Sequence, residues 1–352
     1  MRDVAAPRML AAMRTHLLAG LAALAAAGAV TAPASADSIV FIKDHNVWSA
    51  GVDGSSPHQI TRDGTADAPY SSPSQDDRGT VAAAHGYAID RVDRSGRRVS
   101  RFVPQNLKDS SGHSTAGAPA WVSLSPDGSK VAFTLTSLSC DLTIDCGARA
   151  TTGVAAADGS RVYDTPGLYG GWASWITNDR VLFHGGFLYQ NQVWDVGSPA
   201  EPFDWFEDQD VYGHGSSTDL GDGEVSRNGA RYVAVRGYDA TTQIVWYRVE
   251  GSIQSGPKPP APQPLCMTGQ DPSLRDPTIN GDGTWAAWEE STGIWAKPNL
   301  DACDGPQPAL ILPGAAEPSW GPAANTAPKQ VEKKKAARKK RKRGQAHGKR
   351  RA

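Results

Sequence analysis

Across 352 residues, 36 Lys and Arg stand against 37 Asp and Glu, and 39% of the chain is hydrophobic. That balance excludes a disordered or collagen-like chain, and outside one N-terminal stretch nothing approaches the roughly 20 apolar residues of a membrane helix. The near-zero sum conceals a division of sign: Lys329 to Ala352 holds 13 basic residues and one Glu, whereas residues 37–328 hold 20 basic and 35 acidic.

In chain order, Arg8 and Arg14 precede the apolar run Leu17 to Val30, which ends in Ala34-Ser35-Ala36. This is the pattern of a secretory signal peptide over residues 1–36, with Met13 as an alternative start. Export implies an oxidising setting for Cys140, Cys146, Cys266 and Cys303. Four cysteines allow three pairings. Spacing favours Cys140 with Cys146 and Cys266 with Cys303, and no CxxC pair supports zinc.

From residue 37 to 323 one pattern recurs. The triplets Ile39-Val40-Phe41, Val81-Ala82-Ala83, Val131-Ala132-Phe133, Val181-Leu182-Phe183, Val233-Ala234-Val235 and Ala286-Ala287-Trp288 begin 42, 50, 50, 52 and 53 residues apart. A period of that size belongs to propellers and related arrays. A turn precedes the triplets, most clearly Ser125-Pro126-Asp127-Gly128, and joins two strands. Upstream lie aromatic strands such as Pro119-Ala120-Trp121 and Pro318-Ser319-Trp320. Downstream, a third strand carries Val47-Trp48, Val193-Trp194, Val245-Trp246 or Ile294-Trp295, with Tyr87 and Val154 at about that place in the second and third repeats. The 11 Trp residues read as packing between blades, with ligand stacking as the alternative.

The first repeat lacks an aromatic first strand, and Glu317 to Trp320 is a first strand with nothing after it. The two ends therefore complete one blade, and the expected fold is an all-β, six-bladed propeller without free edges. Residues 324–352 lose apolar periodicity and read as a disordered basic tail.

The S-P-D-G turn, the following Lys130-Val131-Ala132-Phe133 and the preceding Ala118-Pro119-Ala120-Trp121 resemble the TolB-type, or WD40-like (PD40), propeller repeat. The resemblance runs over Ser38 to Pro322 and implies the propeller fold. TolB carries a separate domain before its propeller, and here the first strand follows almost directly on the leader.

Catalytic motifs are missing: there is no G-x-S-x-G, H-E-x-x-H, P-loop or dinucleotide turn. His85 and His184 sit at offsets of four and three from their triplets, which points them to opposite faces. No cofactor or metal is expected. The starts of the inner strands are more telling, since Glu224, Asp276 and Glu317 occupy one aligned place in three consecutive blades, with Arg275 and Arg236 near enough in sequence to neutralise part of their charge. A channel mouth with carboxylates on one side attracts a cation, an amine or a basic peptide. Solvated acids that keep the protein soluble are the competing reading. The loop Asp204 to His214 mixes aromatics and acids and is a second place for recognition, unless Trp205 and Phe206 finish the outer strand of the fourth blade.

The expected function is a secreted, non-enzymatic binding or scaffold propeller of the bacterial envelope for a protein, peptide or glycan. A carbohydrate-active lyase or hydrolase on the same scaffold is the alternative. The tail suits anionic wall polymer or the acidic body of its own or another copy, without specific nucleic-acid reading, since no aromatics are interleaved with its basic residues.

Overall fold

The structure is a computed structural model that describes residues 37–108, 112–140, 146–163, 165, 170–185, 190–216 and 218–326. The leader before Asp37 and the basic tail after Thr326 lie outside the described residues.

Six four-stranded antiparallel sheets make up the ring. Their inner strands are Ala316–Gly321 (blade 1), Tyr70–Gln75 (blade 2), Pro119–Leu124 (blade 3), Gly170–Trp175 (blade 4), Leu220–Val225 (blade 5) and Arg275–Ile279 (blade 6). Closure is as expected: Ala316–Gly321 pairs with Ser38–Lys43, and Ile39 faces Trp320 in register. Helix is limited, among the described residues, to Asp208–Tyr212 and a 3-10 turn at Asp239–Thr241.

The inner-to-second-strand turns show why Ser, Asp and Gly recur there. Asp127 Oδ1 accepts from Ser129 N at 2.9 Å and from Ser125 Oγ at 2.8 Å, while Gly128 takes φ 72°. Asn228 and Gly229 repeat the arrangement in blade 5, with Ala230 N donating to Asn228 Oδ1 at 2.9 Å and Gly229 at φ 72°. A residue with a Cβ is strained at such φ, which is why glycine ends each of these turns.

Packing between blades is apolar and aromatic. Trp175, Trp194, Trp205, Trp246 and Trp288 are fully buried, with Phe41, Phe133, Phe183 and Phe206. Trp205 and Phe206 finish the outer strand Phe203–Phe206 of blade 4. The third-strand tryptophans are less uniform than their recurrence suggests. Trp194 and Trp246 pair with Val181 and Val233 and are buried, whereas Trp48 and Trp295 pair with Phe41 and Trp288 and are half-buried. Tyr87 lies in a turn, 69% exposed, and does not take the strand position at all. In blade 5 the triplet is shifted by one residue and begins at Tyr232 rather than Val233, since Tyr232, like Val181 in blade 4, pairs with the last inner-strand residue.

Cys266 and Cys303 form a disulfide with Cα atoms 5.5 Å apart, tying the outer strand of blade 5 to blade 6. Cys140 and Cys146 face each other in register at the end of the long hairpin Lys130–Cys140 and Cys146–Ala156. Their side chains lie outside the described residues.

Candidate functional site: the acidic half of the channel mouth

All six inner strands line the central channel, and near its start each one is irregular. Register shifts fall between Ser71 and Ser74, Pro119 and Trp121, Gly171 and Ser174, Gly221 and Glu224, Arg275 and Thr278, and Ala316 and Ser319 of the blade 1 strand. Five of these bulges carry a non-glycine residue at positive φ: Ser72 (48°), Trp172 (53°), Asp222 (47°), Asp276 (50°) and Glu317 (52°). In blade 3 the irregularity is one residue shorter and Trp121 takes the equivalent place. Around the mouth the order is therefore Glu317, Ser72, Trp121, Trp172, Asp222, Asp276.

This corrects the alignment drawn from sequence. Asp276 and Glu317 are equivalent, but their partner in blade 5 is Asp222. Glu224 sits two residues deeper, at the level of Ser74, Ser174, Thr278 and Ser319. Arg236 also lies elsewhere: it pairs with buried Asp208 at 2.6 Å and stacks over Tyr212, and so neutralises the helix at Asp208–Tyr212. Arg275 does stand at the mouth. It pairs with Glu289, at the end of the second strand of blade 6, and its Nε lies 3.8 Å from Asp276 Oδ2.

The bulges are held by a relay running from blade to blade. Four of the five positive-φ residues turn their N–H toward the preceding blade, where an acceptor waits. Asp222 N donates to His184 Nδ1 at 3.1 Å, Asp276 N to Asp222 Oδ2 at 2.8 Å, and Glu317 N to Glu289 Oε2 at 2.8 Å. Ser72 N donates to Glu317 Oε2, and Val122 N to Ser72 Oγ at 2.7 Å. Because His184 Nδ1 is an acceptor, the ring proton sits on Nε2 and is donated to Asn191 Oδ1 at 2.8 Å. Burial lowers the His184 pKa to about 4, so the ring is neutral. His85 is tied up separately, stacked on Tyr70 and bonded to buried Asp90 at 3.1 Å.

Asp276 gives its N–H to the relay, but its carboxylate takes nothing from it. The Asp276 carboxylate receives no hydrogen bond among the described residues, because Glu289 has taken the N–H of Glu317. Its ionised form is opposed by burial first and then by the charges of Asp222, Glu317 and Glu289, with Arg275 in partial compensation, which pushes its pKa well up. Burial likewise raises Asp222 to about 7 and Glu224 to about 7, the latter against the pull of Arg227 and a hydrogen bond from Thr278. Glu317 is raised as well, by burial and by Glu289. Two of the three carboxylates on contiguous bulges, Asp276 and Glu317, with Glu289 beside them, thus share the guanidinium of Arg275.

The far end of the channel is bridged. Arg227, in the turn of blade 5, reaches Asp77 in the turn of blade 2 at 3.2 Å, and these blades are opposite members of the ring of six. Arg227 also donates to Trp175 O of blade 4 at 3.3 Å. Between this floor and the mouth lies a cavity of ≈ 60 Å³ lined by Asp222, Glu224, Arg227, Asp276, Glu317 and Trp121, among others. That is space for a few water-sized groups, such as a water cluster or an ammonium. A larger groove of ≈ 500 Å³ lies on the flank between blades 5 and 6, beside Trp295 and the Cys266–Cys303 bond. Among the described residues no group of three or more His, Cys, Asp or Glu side chains is arranged to hold a metal ion.

No protein-family model matches the chain, and no curated protein sequence does. Solved propellers are similar in fold. A chain of the nidogen/laminin complex superposes with a TM-score of 0.53 at 10% identity, covering 81% of this chain and 98% of that one. A structure described as TolB from Agrobacterium tumefaciens gives 0.48 at 13% identity, covering 83% and 93%. An oligogalacturonate lyase in complex with manganese gives 0.47 at 11%, covering 76% and 70%. At such identities the likeness concerns the course of the chain alone. The described residues contain no helix long and apolar enough to cross a membrane.

Proposed function

We propose that the protein is a secreted, non-enzymatic binding propeller of the bacterial envelope, of TolB type, and that its mouth takes a cationic group carried by a peptide or protein. The observation that carries this reading is the contiguity of Asp222, Asp276 and Glu317 on equivalent bulges, where the Asp276 carboxylate receives no hydrogen bond among the described residues and has the Arg275 guanidinium 3.8 Å away. Carboxylates gathered in a concave, low-dielectric rim focus negative potential and draw in cations. Across the ring from Asp276 stands Trp121, half-buried on the cavity wall, whose face suits an ammonium or guanidinium. The disulfide Cys266–Cys303 agrees with an oxidising compartment. His184 and His85 are both occupied in buried contacts.

The test is a calorimetric titration of residues 37–326, which contain the closed ring, with spermidine as probe. Wild type binds, and the double variant Asp276→Asn/Glu317→Gln binds about tenfold more weakly or worse. Equal binding by both proteins removes the mouth as the site.

A further inference from the structure

We infer that the mouth of one copy is filled by the basic segment Lys329 to Ala352 of a second copy, so that the chain associates head to tail. The inference rests on the reading of the mouth as a cation site and names its occupant. Two further observations carry it. One is charge: the segment with 13 Lys and Arg belongs to the same chain whose residues 37–328 are acidic by a margin of 15. The other is the place from which that segment departs.

The closing strand Ala316–Gly321 runs along the channel from the mouth, where Glu317 stands, to the floor. The chain leaves from the floor end and is pinned there. Ser38 Oγ donates to Ala323 O at 2.7 Å, Ser49 Oγ to Asn325 Oδ1 at 3.1 Å, and Asn325 Nδ2 to Ser56 O at 3.1 Å. Arg94 donates to Ala324 O and, at 3.2 Å, to Thr326 Oγ1. The tail therefore starts on the face opposite the acids. From Asn325, beside the turn at Ser56, it has to round the outer edge of blade 1, follow the strands along their length and return over all four to its own mouth, a path of about 40 Å at ordinary strand spacing and rise. Lys339, in the densest basic run, is about 13 residues beyond Thr326, and a random coil of that length has a root-mean-square reach of about 20 Å. The floor of one disc facing the mouth of the next removes that detour. Such a contact is heterologous: it leaves a free mouth and a free tail at the two ends and adds copies without a fixed stoichiometry.

A complementation experiment tests it. Residues 37–352 carrying Asp276→Asn/Glu317→Gln keep the tail and lose the mouth, while residues 37–326 keep the mouth and lose the tail. In sedimentation velocity at low salt, wild-type 37–352 grows in mass with concentration, each altered protein alone stays monomeric, and their mixture forms a one-to-one complex. High salt weakens that complex by about tenfold or more. A second tail donor, K339Q/K340Q/K342Q, leaves the propeller untouched and associates less than wild type, which guards against misfolding of the mouth variant. A monomeric wild type at low salt, or self-association that survives Asp276→Asn/Glu317→Gln, overturns the inference. If 37–326 binds spermidine but not the tail donor, the inference falls and the cation site stands. If it binds neither, both fall.

Discussion

Blades 5, 6 and 1 share a backbone device with blades 2 and 4, yet the two halves of the mouth are chemically unlike. Ser72 adopts the same left-handed bulge as Asp222, Asp276 and Glu317, and its hydroxyl accepts the N–H of Val122 at 2.7 Å. Trp172 adopts the bulge with an exposed indole in place of a polar acceptor. A hydroxyl is therefore enough to hold the relay. The carboxylates on the other half raise one another's pKa and oppose their own burial, a cost that closing the ring does not require. The lesson is that geometry sets where the side chains stand, while the acids are an addition that needs another reason, and cation uptake supplies one.

The comparison can be broken most severely through the core. Trp175 in blade 4 and Trp288 in blade 6 are both fully buried, so Trp175→Ala and Trp288→Ala each cost about 3–5 kcal/mol in urea unfolding. If the neutral half and the acidic half lose unequal amounts, the halves differ in packing as well as in charge.

A smaller effect separates the halves by pH. Asp222 and Glu224 have folded-state pKa values raised above those of an unfolded chain, so the folded protein holds their protons more tightly. Stability is then greatest at low pH on their account, falls as pH rises from about 4 to about 7, and is flat above. The slope is at most about 1.4 kcal/mol per pH unit for each group. Asp222→Asn and Glu224→Gln flatten this dependence, whereas Ser72→Ala leaves it intact. A wild-type curve that rises through this window, once corrected for the other carboxylates by the variants, contradicts the placement of buried acids here.

The smallest effect concerns the floor. Arg227 and Asp77 are partly exposed, so Arg227→Ala costs no more than about 1 kcal/mol in global stability. Hydrogen exchange in the turns of blades 2 and 5 nonetheless quickens, because the strut between opposite blades is gone. No change in those amides would mean that the pair contributes nothing to holding the ring.

Much of the fold was legible in the sequence, and particular residues show where legibility ended. Ser125 to Gly128 and its relatives marked the turns because the turn geometry itself demands Asp and Gly. Trp320 and Ile39 revealed the closure because each was half of a unit. The mouth was legible in blades 6 and 1, where Pro277 and Pro318 follow the bulge residue. It was misplaced in blade 5 because Leu220 to Val225 contains no aromatic to count from. Gly223 takes the place of a larger residue there, since a Cβ on it would stand 2.0 Å from the Tyr232 hydroxyl. Glu289 and Asp208 could not be tied to Arg275 and Arg236 from sequence, because both pairs are made by folding across strands and loops. His184 was visible, but its work as an acceptor for the next blade was not, since an inter-blade hydrogen bond leaves no local pattern.

The most direct measurement of the central claim is the number of protons released when a cation enters the mouth. It is obtained by titrating residues 37–326 with spermidine near pH 7 in buffers of different ionisation enthalpy. Asp222 and Glu224, whose pKa values burial raises to about 7, have to ionise to act as counter-charge to the cation, so the account expects the release of about one proton near pH 7. Binding with no proton release near pH 7 would mean that Asp222, Glu224, Asp276 and Glu317 are not the counter-charge, and would contradict it.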